Sequence, residues 1–297
     1  MDEPITPREV LHQVALAIPE TLRGDIIIVG SLAASYQLLR DHGQVIRTKD
    51  IDGMLSPHAR AVVSATAVTE KLLNSGWIPQ ATPDYDLPAT AQTPIKRLPV
   101  VRMCQPGNEK WFLELLGAPN SVVSSDQFTK EHPSRLQTSG GHFLLPSFAY
   151  LGLAQFQPTM SEYGLRIALP EMMALANLLH HPAIDPTPMS KPFAGVSIKR
   201  SNKDLGRVVA MAFLADQQDE DALERWGQRW SEALYDMAPV HAARLLDVAP
   251  KGLHALLANA GDIHQALHTV NNGLLTASRL TEDQFVIAIR RLLRAIS

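Results

Sequence analysis

Four β-branched residues in a row, Ile26-Ile27-Ile28-Val29, stand between Gly24 and Gly30. A run of that length and composition suits a buried strand better than a helix. It anchors the reading of the residues around it. Before it, Val10, Leu11, Val14, Ala15 and Ile18 recur at three- and four-residue steps, which predicts a helix from Pro7 to Ile18. After it the chain turns at Gly30-Ser31 and continues to Arg40 with Leu32, Tyr36 and Leu39 on one face, giving strand, tight turn and helix in succession. Asp50 to Leu55 follows as a second strand, and a helix from about Ala59 to Asn74 ends at Ser75-Gly76.

Residues 79–109, rich in Pro, Thr, Asp and Gly, read as a long surface excursion that includes a short strand at Leu98 to Met103. Lys110 to Gly117 reads as a buried strand interrupted by one acid, and short strands are expected from His142 to about Leu169. After Pro170 helical patterns take over. The last helix opens at Thr281-Glu282-Asp283-Gln284, which has capping-box spacing, and carries Phe285, Ile289, Leu292, Leu293 and Ile296 inward. The expected class is α+β: a mixed sheet flanked by helices over residues 1–170, then a helical domain over residues 171–297.

Composition narrows the partners. With 45% hydrophobic residues in 297, the chain has ample core, and 27 Lys+Arg against 30 Asp+Glu leaves no general basic footprint for nucleic acid. Any such partner has to be held by a local patch. The single cysteine, Cys104, excludes an internal disulfide and a multi-thiolate zinc site. Met1 to Glu9 lacks the basic start and apolar stretch of about 7 to 15 residues of a secretory signal. No run reaches the roughly 18 to 20 apolar residues of a membrane span. A cytoplasmic protein without a membrane partner is expected.

Three acids on strands carry the chemistry. In Asp50-Ile51-Asp52 the two-residue period of a strand puts both carboxylates on one face. Their mutual repulsion is relieved by a divalent cation, and hard oxygen donors of this kind suit Mg²⁺ shared with substrate phosphates. Glu114 interrupts an apolar run, where a charge costs several kcal/mol unless it is paired or metal-bound. A neighbouring strand can set it beside the aspartates, so that three acids hold two metals, or one metal and a base. The Gly30-Ser31 turn offers backbone N–H groups and a hydroxyl to a phosphate. Any strand-to-helix turn can carry Gly-Ser, so that pair gains meaning only beside the acids.

Taken in order, Ile26-Ile27-Ile28-Val29-Gly30-Ser31, then Arg47-Thr48-Lys49-Asp50-Ile51-Asp52, then Phe112-Leu113-Glu114-Leu115-Leu116 resemble the nucleotidyltransferase superfamily built on the DNA polymerase β core. The wide gap before Asp50, with Arg-Thr just ahead of the acids, resembles the bacterial branch of abortive-infection and type IV toxin-like nucleotidyltransferases more than it resembles polymerases. That resemblance implies Mg²⁺ or Mn²⁺ on Asp50, Asp52 and Glu114, with Glu114 alternatively the base that activates the acceptor hydroxyl. It implies an NTP held by Gly30 and Ser31. It also implies transfer of NMP to an acceptor that is RNA such as tRNA, a protein or a small molecule, and an antitoxin as partner. The rival function is a catalytically silent nucleotide-binding or interaction module of the same fold, and a third is phosphate hydrolysis by the same acids.

Pro170-Glu171 and Lys203-Asp204 are similar to a Pro-Glu helix followed by a Lys-Asp helix start in the related enzymes. Lys199, Arg200, Lys203 and Arg207 then offer a cationic stripe to the triphosphate, with Asp204 among them, or simply a solvated helix face. Asn177 stands where relatives often carry Lys. Arg47 and Lys49 either shield the acid pair or contact phosphate. His180-His181 reads as a helix-end or surface pair rather than a metal site, Trp226 and Trp230 as a helix-packing ridge rather than a base-stacking platform, and Cys104 as a small buried hydrophobe.

Overall fold

The computed structural model describes residues 6–39, 50–80, 85, 87–119, 133–181, 188–189 and 191–296. Arg47, Thr48 and Lys49 lie outside the described residues. The chain divides into two compact units, with the main boundary between Leu169 and Pro170 and the short segment from Gln37 grouped with the second unit.

The first unit opens with α1 (Pro7–Ala17), capped reciprocally: the Glu9 N–H donates to Thr6 Oγ1 at 3.3 Å and the Thr6 N–H to Glu9 Oε2 at 2.9 Å. After α2 (Glu20–Arg23) come β1 (Ile26–Val29), α3 (Gly30–Leu38), β2 (Asp50–Leu55), α4 (His58–Asn74) and β3 (Ile78–Pro79). The remaining strands are β4 (Arg102–Gln105), β5 (Asn108–Gly117), β6 (Ser134–Thr138), β7 (Gly141–Leu145), β8 (Thr159–Met160) and β9 (Arg166–Ile167). Seven of them form a mixed sheet in the order β3-β4-β5-β2-β1-β9-β8, and β6 and β7 make a separate hairpin. All four residues of β1 are buried, as a strand flanked by neighbours on both edges requires.

Two expectations shift. The strand expected at Leu98 to Met103 starts at Arg102, because Ile95–Arg97 forms a 3₁₀ turn and Pro99 has no N–H to give a ladder. Residues 99–101 bridge to β7, where the Val101 N–H donates to the Leu144 carbonyl at 3.2 Å and the Leu144 N–H to the Pro99 carbonyl at 2.8 Å, while the Val101 carbonyl accepts from the Leu115 N–H of β5 at 3.0 Å. Between His142 and Leu169 the chain also includes a 3₁₀ helix, Ala149–Gln155, which buries Tyr150 and Leu153. Part of the Pro-rich excursion is fixed by Arg135, whose guanidinium donates to the carbonyls of Thr90, Ala91 and Thr93.

The second unit is helical, with α5 (Pro170–His180), α6 (Arg200–Gln218), α7 (Ala222–Met237), α8 (Ala242–Val248), α9 (Lys251–Leu257), α10 (Ala260–Asn271) and α11 (Glu282–Ile296). Helices α6 and α10 approach so closely at Gly206 that a β-carbon there would lie 2.7 Å from the Ala266 carbonyl oxygen. Trp226 and Trp230 are buried, and the Trp230 indole N–H donates to the Glu171 carbonyl at 2.9 Å, so this ridge ties α7 to α5 rather than presenting a stacking surface. Glu171, itself buried, pairs with Arg229. The α11 capping box is present, with the Thr281 N–H donating to Gln284 Oε1 at 2.9 Å. Among the described residues no helix is long and apolar enough to cross a membrane.

Candidate active site

The site grows from strand register. Antiparallel pairing sets Val29 opposite Asp52, and parallel pairing sets Asp50 beside Phe112 and Asp52 beside Glu114. Register partners share a face, and adjacent strands lie about 4.8 Å apart. Asp50, Asp52 and Glu114 therefore occupy one patch on one side of the sheet. Alternation sends the neighbours the other way: Ile51, Leu113 and Leu115 are buried, whereas all three acids are half-buried.

The β1–α3 turn closes on this patch. Gly30 has φ +74°, and a β-carbon built there would lie 2.5 Å from Asp52 Oδ2. Only glycine meets both conditions, the left-handed backbone and the close carboxylate. Ser31 follows, half-buried, in the first turn of α3.

Glu114 is not alone among acids. Arg102, its register partner on β4, donates from Nε to Glu114 Oε2 at 2.6 Å. The same guanidinium lies 5.4 Å from the Phe112 ring centroid. Burial pushes the Glu114 carboxyl above the usual range, Arg102 pulls it back down, and the charge of Asp50 raises it further. Arg102 was not among the residues singled out from sequence, although the signal used for Glu114, a charge set among apolar neighbours, applies equally to Val100-Val101-Arg102-Met103-Cys104. Cys104 is buried.

The other candidate residues lie in the second unit. Lys199 donates from Nζ to Asp262 at 2.6 Å, and Asp262 also accepts from Asn202 at 2.8 Å. Arg200, Lys203 and Arg207 fall on α6 at the expected steps; Arg200 is exposed, Lys203 Nζ lies 6.0 Å from the Phe193 ring, and Arg207 pairs with Asp204 at 3.6 Å. Much of this cationic stripe thus carries local partners. His181, just past α5, has its pKa lowered by burial, with Asp204 and Asp262 acting in the opposite sense.

No protein-family model, curated protein or solved structure matches this chain. The chemistry has to be read from the patch itself. Among the described residues, no group of three or more His, Cys, Asp or Glu side chains stands ready as a metal cage. Asp50 and Asp52 offer hard oxygen donors from one strand face, a set that fits Mg²⁺ retaining water and taking further oxygens from substrate phosphates. Glu114 Oε2 accepts from Arg102, so coordination of a cation through that oxygen competes with the guanidinium.

Proposed function

We propose that this chain is an Mg²⁺-dependent nucleotidyltransferase of the DNA polymerase β type, moving NMP from an NTP to an acceptor hydroxyl. The observation that carries the reading is the convergence of Gly30, Asp52 and Glu114 at one point on the sheet, with Asp50 on the same face. A glycine turn pressed against an acid pair puts phosphate-binding N–H groups next to divalent-cation ligands, the combination that nucleotidyl transfer uses. In the reaction the acceptor oxygen forms a bond to the α-phosphorus and the bond to the bridging oxygen breaks. Pyrophosphate leaves with that electron pair, and the acceptor proton passes to a carboxylate or to solvent. When bound, the cation supplies charge neutralisation for the triphosphate and the leaving pyrophosphate. Asp50 and Asp52 hold it, Gly30 and Ser31 orient the phosphates, and Glu114 completes the site or takes the proton. By resemblance alone, Lys199, Arg200, Lys203 and Asp204 are candidate nucleotide contacts, the acceptor is RNA, a protein or a small molecule, and an antitoxin is a partner.

The Glu114–Arg102 ion pair favours a second reading, a nucleotide-binding module without turnover, because it neutralises the third acid. The discriminating experiment incubates the protein and its Asp50→Ala and Asp52→Ala variants with each NTP and candidate acceptors, reading pyrophosphate release. Transfer by the wild type that both variants lose supports the enzyme. Tight NTP binding indifferent to Mg²⁺, with no pyrophosphate over any acceptor, supports the module.

A further inference from the structure

We propose that Arg102 is a built-in counter-ion of the acidic patch, a positioning residue that occupies Glu114 until a divalent cation displaces it. The inference rests on the metal-binding reading of Asp50 and Asp52.

Arg102 and Glu114 are register partners on β4 and β5, so the guanidinium stands on the same sheet face as the aspartates. Its Nε is 2.6 Å from Glu114 Oε2, and its position over Phe112 sets it beside the register partner of Asp50. The charge of Asp50 reaches Glu114 and opposes its ionisation, whereas Arg102 favours it. An arginine does not lose its proton in the accessible pH range, so while Glu114 is ionised the guanidinium leaves Oε2 by displacement. A divalent cation brings twice the charge to the same oxygens.

The pair is poised for exchange. Its side chains are 13% exposed on Glu114 and 34% on Arg102. It is thus intermediate between solvent-exposed ion pairs, which contribute little, and desolvated ones that stay locked. Cation binding and Arg102 release are linked, so the cation's apparent affinity scales with the fraction of Glu114 that Arg102 leaves free. A purely structural β4–β5 tie has no such consequence: its loss would loosen the sheet and leave cation affinity equal or weaker.

The test measures Mn²⁺ affinity of the full chain by the loss of free-Mn²⁺ electron paramagnetic resonance signal, at neutral pH and constant ionic strength. Arg102→Gln is expected to bind Mn²⁺ roughly tenfold tighter than wild type, the scale of one charge-assisted hydrogen bond. Arg102→Lys, which keeps the charge, stays within about threefold of wild type on the same scale. The gain disappears in the E114Q background. Unchanged or weaker binding by R102Q, or an equal gain with and without Glu114, overturns the proposal. If R102Q does not fold, the wild type supplies the answer through the Arg102 Nε–H nuclear magnetic resonance signal, assigned by its absence from R102K. Saturating Mg²⁺ shifts that signal if the pair opens, and an unmoved signal refutes the displacement. Asp52→Asn separates the two levels: if it abolishes Mn²⁺ binding while R102Q has no effect, only the Arg102 inference fails. Wild-type affinity in D52N overturns the metal-binding reading and this inference with it.

Discussion

Replacing Gly30 by Ala tests the joint between the turn and the acids. Gly30 has φ +74°, and the new β-carbon would sit 2.5 Å from Asp52 Oδ2. Two costs follow. The left-handed backbone costs about 1–2 kcal/mol for a residue with a β-carbon. The steric cost falls on a carboxylate at the end of a side chain, which can rotate away, so it appears mainly as a displaced ligand. Gly76→Ala is the internal control: φ is +83° there, with nothing within 4 Å of the added carbon. Urea unfolding is therefore expected to show similar losses for both variants, about 1–2 kcal/mol each. Mn²⁺ titration is expected to separate them, with affinity falling about tenfold or more for G30A and holding for G76A. NMP transfer by G30A drops on the order of 100-fold, since a misplacement of about 1 Å at a reacting centre has that scale. Wild-type Mn²⁺ affinity and transfer in folded G30A would refute the reasoning.

Two further outcomes concern the helical unit. His181 has its pKa lowered by burial from 6.5. The unfolded chain binds that proton more readily, so the native state's advantage is fully present above 6.5 and is lost as pH falls toward the lowered value. Wild type is expected to lose stability relative to His181→Gln across that interval in thermal melts, and a pH-independent difference would contradict the assignment. Asp216 is buried, its carboxyl pushed up by desolvation, and its Oδ1 lies 2.7 Å from Arg291 Nη2 in an ion pair without hydrogen-bond alignment. Arg291→Met leaves that charge uncompensated and costs about 1–3 kcal/mol in urea unfolding. Adding Asp216→Asn recovers most of the loss, and a double variant as weak as the single one would contradict the pairing.

What could be read from the sequence follows the range of the interactions. The Ile26–Val29 strand, the Asp50/Asp52 face and the Thr281–Gln284 cap depend on side chains a few positions apart, and periodicity or spacing reveals them. Glu114 was visible because a charge in an apolar run demands a partner. The identity of that partner was not, since Arg102 reaches it only through the β4–β5 register across the intervening turn. The start of β4 differs because Val100 and Val101 look like ladder residues, while Val100 bridges Leu144 and Val101 divides its bonds between Leu144 on β7 and Leu115 on β5, the former fixed by a hairpin more than thirty residues later. Charge spacing along the chain does not reveal the local partner of Lys199, because Asp262, which accepts its hydrogen bond, is on α10 and far away in sequence.

The central claim is that Asp50 and Asp52 support transfer of a nucleoside monophosphate. It meets its most direct test in parallel reactions with NTP labelled at the α- or the γ-phosphate. The expected result is α-label retained on an acceptor and γ-label released as pyrophosphate, both Mg²⁺-dependent and both lost in the D50A and D52A proteins. Release of γ-label as orthophosphate without labelled acceptor, or undiminished α-label transfer by both variants, would contradict it.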